Sequence, residues 1–454
     1  MGEKLTKKYG LFTAIALVVG VVIGSGVFFK AQDILNYTNG NMTLGIAAWA
    51  IGAAVMIVCA LAFAFMASKY EKVNGVVDYA ETTCGKKYAY MIAWFLSTIY
   101  YPAMTSVLAW VSARFTCVVL GIDNPLGGTE CLVIATFYLV ASFAINTLSP
   151  KLAGKFQVST TVIKLIPLAL MIVVGIIVGL TNGNVQQSFN MEVAKGSGGS
   201  VFSAVAAAAF AYEGWIIATS INAELHNAKK NLPIALTLGT AVVAAIYILY
   251  FIGISGGASA EILMKEGAPR AFLNLFGKVG GTLLNIFVVV SCLGTLNGLM
   301  LACSRGFYSV AKRGGRKSIK IMQDVSSVGM PANSAAIALL ITMARLVFWY
   351  GGIIRSAFLG LTPWWGSLTF DSSELPVITI YALYIPVFLM MMIKEKDFGK
   401  VKRFVVPILA IVACLFMMIV AYLAHTSEIL WYLLVFAVIM IIGWAYMGKL
   451  TETE

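Results

Sequence analysis

Charge is what this sequence has least of. Asp, Glu, Lys and Arg make up only 11% of its 454 residues, and the only histidines are His226 and His425. Soluble domains carry roughly 25% charged residues, so that class is excluded. An enzyme built on a nucleophile with an oriented base, or on metal ligands, is also disfavoured, because the histidines stand alone and no paired acids accompany them. No cofactor or metal is expected. Seven cysteines (Cys59, Cys84, Cys117, Cys131, Cys292, Cys303, Cys414) are odd in number and scattered. They form neither a disulfide framework nor a metal-binding spacing. No small-residue cleavage site follows the charged start MGEKLTKK, so no cleavable leader is expected. Strict alternation of apolar and polar residues is missing, which removes a β-barrel. Nothing suggests the ring of filter residues that a channel needs.

Apolar sequence dominates instead. Hydrophobic residues make up 60% of the chain, and mean hydropathy is +0.89. Runs of about 20 apolar residues, the length that crosses a bilayer, recur from end to end. The pattern predicts an all-α polytopic membrane protein with about twelve transmembrane helices. They are expected near 9–32, 42–67, 88–121, 130–148, 156–181, 200–224, 233–257, 279–308, 333–350, 376–393, 404–424 and 429–447. The net charge of +12 does not imply nucleic acid, because most of the 32 lysines and arginines cluster between apolar runs on alternate sides. Basic stretches such as Lys7-Lys8, Lys86-Lys87, Lys229-Lys230 and Arg313 to Lys320 fall on one side. By the positive-inside rule that side is cytoplasmic, and both termini lie there.

Two apolar runs carry interruptions. "VVIGSGVFFK" places Gly24-Ser25-Gly26 inside the first run. Each glycine costs about 1 kcal/mol relative to Ala in a helix interior. "FAYEGW", Phe210 to Trp215, sets a carboxylate and a glycine in the sixth run. An ionisable residue at membrane depth marks a functional site by default. The two runs stand five helices apart, an odd separation that gives the two halves opposite topology. Paired broken helices in such halves point to a transporter's substrate site. Unwinding frees backbone groups that lipid cannot satisfy. Free carbonyls at one half-helix end suit an ammonium, and free N–H groups with a positive dipole end suit a carboxylate. An α-amino acid carries both. Small residues also serve simple helix packing, and the pairing of the two breaks is what favours the site.

"GVVIGSGVFF", "FAYEGW", "INAELHNAKKNLPIAL" and "GTLNGLMLACSRGFYSVAKRGG" together resemble the amino acid–polyamine–organocation superfamily. Within it they resemble the L-type amino acid transporter branch, and there the bacterial alanine–serine–cysteine exchangers. The resemblance implies a LeuT-type fold. Residues 1–181 would form a first five-helix repeat, 200–393 its inverted copy, and 404–447 two further helices. It implies sodium-independent exchange of small neutral L-amino acids across the cell membrane by alternating access, with a proton-coupled symporter as the alternative. Ile23, Gly24, Ser25 and Gly26 would hold the substrate's carboxylate and amine. Phe210 would close over it from outside, and Ala211, Tyr212, Glu213 and Gly214 would form the unwound part of the sixth span. The branch often has Asp or Gly where Glu213 stands, so Glu213 is expected to pair with a cation, to titrate, or to be a satisfied carboxylate.

Lys164, in "TTVIKLIPLAL", lies well inside the fifth span. By resemblance it occupies the place where sodium-coupled relatives bind a cation, and it could reach the first span's carbonyls or Ser291 and Thr295. The simpler alternative is snorkelling toward the cytoplasm. Arg114 and Arg345 are expected to snorkel, Asn297 to act as helix glue, and Tyr100-Tyr101-Pro102 to kink the third span. Cys131 lies close to where eukaryotic relatives bear the cysteine for a glycoprotein partner. It is expected to face the bundle, so no disulfide-linked heavy subunit is anticipated. Partners are then the amino acid substrate and membrane lipid.

Overall fold

The computed structural model describes residues 10–70, 75–122, 128–190, 200–215 and 225–448. The N-terminal MGEKLTKK, much of the 182–199 connection and the 216–224 part of the sixth span lie outside these residues. The chain is an all-α polytopic membrane protein. In order it forms α1 (Leu11–Val22), α2 (Gly26–Tyr37), α3 (Met42–Lys69), α4 (Val76–Cys84) and α5 (Lys86–Leu120). Next come α6 (Thr129–Leu148), α7 (Pro150–Thr181), α8 (Asn184–Asn190), α9 (Val201–Ala211) and α10 (Ala228–Gly257). The last are α11 (Ala260–Glu266), α12 (Ala268–Arg313), α13 (Ala332–Ser356), α14 (Leu375–Lys394), α15 (Val401–Ala424) and α16 (Ile429–Tyr446).

Among the described residues, 10 helices are long and apolar enough to cross a membrane. Two shorter apolar helices, Leu11–Gly20 and Val201–Ala211, belong to the first and sixth runs. Among the described residues, these two helices stop where the runs carry their glycine interruptions.

Other departures from the expected spans have local causes. The fifth helix starts at Pro150 rather than 156, because proline is well suited to a helix's first turn, where its missing N–H costs nothing. The seventh starts at Ala228 and takes Pro233 into its first turns. The connection 258–278 is not plain loop: it holds α11, which stops at Gly267 (φ 68°), and the first turns of α12, which bend at Gly277 (φ 70°). The third span carries a π-helical turn at Leu96–Tyr100, directly before Pro102, where the ring removes a ladder donor.

The chain separates into two contact units. The first comprises 1–89, 171–268 and 377–424, and the second 90–170, 269–376 and 425–454. In the first, α10 packs along α1 and α3, while α9 packs against α2, α3 and α15. Residues 171–181 of α7 lie so close to α10 that a Cβ at Gly175, Gly179, Gly253 or Gly256 would overlap backbone of the facing helix. Small residues permit this approach in membrane helices. At one end of this unit Lys69 Nζ pairs with Glu395 Oε2 (2.7 Å) and Asp397 Oδ2 (2.9 Å), and Tyr70 Oη donates to Glu395 Oε1 (2.6 Å). Burial and the Glu395 carboxylate push the Tyr70 phenol up to about 12.

In the second unit α5 packs against α6 and α13. A buried amide chain crosses three of its helices. Asn146 Nδ2 donates to Asn297 Oδ1 (2.9 Å), and Asn297 Nδ2 donates to Ala153 O (3.2 Å) and Gln157 Oε1 (3.3 Å). This is the gluing role expected of Asn297. Arg114 departs from expectation: it is 7% exposed, with its guanidinium 5.8 Å from the Trp110 ring centre, so it is held on an aromatic face instead of reaching out. Only 11% of α16 is buried, which leaves an apolar surface suited to lipid.

Candidate functional site

The first interruption is a true break. Ile23 leaves the helix at φ −65°, ψ 101°, while its N–H still donates to Val19 O (2.9 Å). Helix resumes at Gly26. The second interruption follows Ala211. Tyr212 N–H donates to Ala208 O (3.1 Å), Glu213 N–H to Phe210 O (3.2 Å), and Gly214 takes φ 107°, a conformation that L side chains rarely adopt.

The two breaks meet inside the first unit. A Cβ at Gly26 would sit 2.7 Å from Ala211 Cα, so no larger residue fits at that position without moving backbone. Tyr247, on α10, serves both breaks with one group: its Oη lies 3.0 Å from Val22 O and 3.2 Å from Ala211 O. A phenol has a single proton to donate, so the two carbonyls share it. Tyr247 stacks on Tyr212 (centroids 5.1 Å), and Trp49 meets both rings edge-on at 5.4 and 5.5 Å. Gly52 makes room for this, since a Cβ there would lie 3.1 Å from Ala208 Cβ and 3.3 Å from Tyr212 Cδ2.

Three buried polar atoms around the breaks, Ser25 Oγ, Tyr212 Oη and Trp49 Nε1, have no hydrogen-bond partner among the described residues. Buried polar groups are nearly always satisfied, and unpaired donors and acceptors at a break suit a polar ligand. Phe210 lies at the end of α9 with its ring edge-on to Phe29 (5.3 Å). Lys30 Nζ sits 5.2 Å from the Phe210 ring centre and 3.2 Å from Asp33 Oδ2, and Lys30 is only 2% exposed. The expected first span, 9–32, puts Lys30 near its outer end, on the external side; in the structure it is a buried cation one turn beyond Gly26.

Glu213 is 9% exposed. Its carboxyl is within electrostatic range of Cys59 on α3 and of Tyr381 and Tyr384 on α14. Ile23, Gly24, Ser25, Gly26, Phe210, Ala211, Tyr212, Glu213 and Gly214 thus all belong to one unit.

Lys164, Ser291 and Thr295 belong to the other unit. Lys164 follows helix Pro150–Ile163 and is 4% exposed, which rules out snorkelling to solvent. The interruption of winding at Lys164 has a cause in Pro167, which lacks the N–H that would pair with the Ile163 carbonyl. A Cβ on Gly294 would overlap the Thr160 side chain, so the turn carrying Lys164 abuts the turn carrying Ser291 and Thr295. Thr295 Oγ1 donates to Ser291 O (3.1 Å), within its own helix, whereas Ser291 Oγ has no partner among the described residues.

Sequence reasoning did not identify Tyr247, Trp49 or Lys30. The available signal was aromatic and cationic residues inside apolar runs, which is too common to single out one of them. The position opposite a break is what distinguishes Tyr247, and that is a tertiary property.

A model of the amino acid permease family matches residues 9–444. The chain is 29% identical to the serine/threonine exchanger SteT of Bacillus subtilis over 408 residues, covering 89% of this chain and 87% of that protein. It is 27% identical to the human b(0,+)-type amino acid transporter 1, over 71% of this chain and 66% of that one. It is 26% identical to the mouse large neutral amino acids transporter small subunit 2, over 80% and 70% respectively.

Proposed function

The chain belongs to the amino acid permease family, and from that premise we propose that it exchanges small neutral L-amino acids, such as alanine, serine and cysteine, without sodium. It is an amino acid transporter rather than an enzyme, and a multi-pass membrane protein. The observation that carries the finer reading is the meeting of the two breaks at Gly26 and Ala211, with their carbonyls gathered on Tyr247. A zwitterion bound there takes its ammonium to free carbonyls and its carboxylate to the N–H groups that open α2. Ile23 to Gly26 and Ala211 to Gly214 form the cradle, and Phe210 is the side wall toward the Lys30 end. The tight fit at Gly26 favours small side chains.

Alternating access follows from the same geometry. Substrate satisfies the freed backbone groups and lets the gates close around it, and the empty carrier returns slowly because those groups then lack a ligand. The buried Lys164 ammonium, beside Ser291 and Thr295, supplies a fixed charge where a transported cation would otherwise be needed. Two five-helix repeats, 1–181 and 200–393, with 404–447 added, are consistent with contact units that each draw on both repeats: the first takes 1–89 and 171–181 from one and 200–268 and 377–393 from the other, and the second takes 90–170 and 269–376. Placement in the cell membrane with both termini inside rests on the lysine and arginine bias. Work without a disulfide-linked heavy subunit is supported by Cys131, which is 0% exposed with its Sγ 3.8 Å from Trp110 O.

Uptake of labelled alanine into proteoliposomes tests the reading. It should require unlabelled amino acid trapped inside and should not change when sodium replaces choline. Equal uptake into empty vesicles would remove exchange. A buried amine also fits a proton-coupled symporter, and accumulation driven by a pH gradient alone, lost in Lys164→Ala, would establish that alternative.

A further inference from the structure

His425, isolated in the sequence, has three acidic neighbours in the second unit. It closes α15's exit and begins the turn into α16. Its Nε2 lies 3.1 Å from Glu374 Oε2, and its Nδ1 lies 3.8 Å from Glu428 Oε2. Glu374 is completely buried and His425 is 8% exposed. Glu428 Oε2 also accepts from the Asp371 backbone N–H (2.7 Å). Asp371 Oδ1 accepts from Ser373 Oγ (2.6 Å) and from the Ser373 and Glu374 N–H groups, which fixes the turn that presents Glu374. Phe370 packs edge-on to Tyr432 one turn into α16 (5.4 Å), and Tyr432 in turn interacts with Arg345 of α13.

The chemistry of imidazole decides what this arrangement does. A neutral ring has one N–H, so it can donate toward only one of the flanking carboxylates, whereas the doubly protonated ring donates toward both. We propose that protonated His425 is a clasp that holds Glu374 and Glu428 together, and that losing its proton opens the clasp and speeds exchange. The clasp joins the segment just before residue 377 to the segment just after residue 424. At these two points the chain passes between the two contact units. The charge pattern puts both on the external face, so the proton comes from outside.

The electrostatics agree. Burial pulls the imidazole's affinity for its proton down, but the Glu374, Asp371 and Glu428 carboxylates more than offset this, and His425 holds its proton above the ordinary range. Burial and Asp371 likewise raise Glu428, partly countered by His425. Both shifts have the same sign. The stabilisation from His425 is fully present below its unfolded value of about 6.5 and fades as pH rises through the raised folded value.

The protein has just two histidines, so NMR of the full-length protein with isotope-labelled histidine in lipid nanodiscs gives two ring signals. His425→Gln identifies one by its loss. That signal should stay in the protonated form to a higher pH than free imidazole, and Glu374→Gln should move its titration down. Titration at or below the free value would overturn the clasp. The thermal midpoint of the purified protein should fall as pH rises from 6 to 8.5, and the fall should vanish in His425→Gln. A wild-type slope in that variant would overturn the proposal. Exchange in proteoliposomes should be about threefold faster at the higher pH, equivalent to ~0.6 kcal/mol, and flat in His425→Gln. This last arm alone rests on the amino acid exchange reading. The NMR and thermal arms stand without a substrate, so a failure of the clasp and a failure of that reading are told apart.

Discussion

Two buried polar clusters, the helix breaks of the first contact unit and the amide chain of the second, handle polarity differently. In the first, helices are broken, and the released carbonyls of Val22 and Ala211 share one tyrosine proton, while Ser25 Oγ and Tyr212 Oη find no partner among the described residues. In the second, the Asn146–Asn297–Gln157 chain pairs amide with amide across three helices without breaking any of them at the paired residues. Half-satisfied polar groups in low dielectric are costly. A protein retains them where a ligand completes the set. On the proposed function the first arrangement serves binding and the second scaffolding, and substitutions should separate the two.

Gly26→Val should have the largest effect. A side chain there drives into the Ala211 backbone, and overpacking at a site with no room costs about 1–3 kcal/mol. Alanine exchange in proteoliposomes should be lost while size-exclusion profiles remain monodisperse. Retained exchange would mean that the breaks need not touch. Tyr247→Phe removes one shared donor from two carbonyls, and at about 1 kcal/mol per net hydrogen bond exchange should fall roughly fivefold with little change in thermal midpoint. A drop in midpoint without a drop in rate would move Tyr247 to the scaffolding side. Asn297→Ala should do the reverse. Cross-helix amide bonds contribute about 0.6–2 kcal/mol in membranes, so the midpoint should fall by a few degrees while the apparent affinity for alanine stays put. An altered affinity would erase the distinction between the units.

Much of this was legible in the chain itself. Helix number and breaks follow from hydropathy and glycine, since both are set by short-range rules that lipid enforces. The role of Asn297 follows for the same reason, whereas at Tyr100-Tyr101-Pro102 the sequence suggests a kink and the structure has a π turn at Leu96–Tyr100. The partner of a break is harder to read, because Tyr247 is separated from Val22 by most of the first half of the chain. Lys30 illustrates a second difficulty. Position within a run suggested exposure, but Asp33 and the Phe29 and Phe210 rings gave the ammonium a reason to stay inside. His425 shows the third. Two of its three acids, Asp371 and Glu374, come from a connection some fifty residues earlier, where no helical periodicity links them to it.

The glycine contact between α7 and α10 has a mechanical corollary. With Gly175 and Gly179 seated on the backbone of Gly253 and Gly256, the two rods behave there as a single welded spar. The remainder of α7, residues 150–170, is assigned to the other unit. Flexure along that rod then concentrates outside the welded stretch, where the winding is already interrupted at Lys164, three residues before Pro167. On the proposed reading, in which Lys164 stands in for an ion, that lysine is mounted at the rod's own elbow, and each stroke of the carrier would swing its charge.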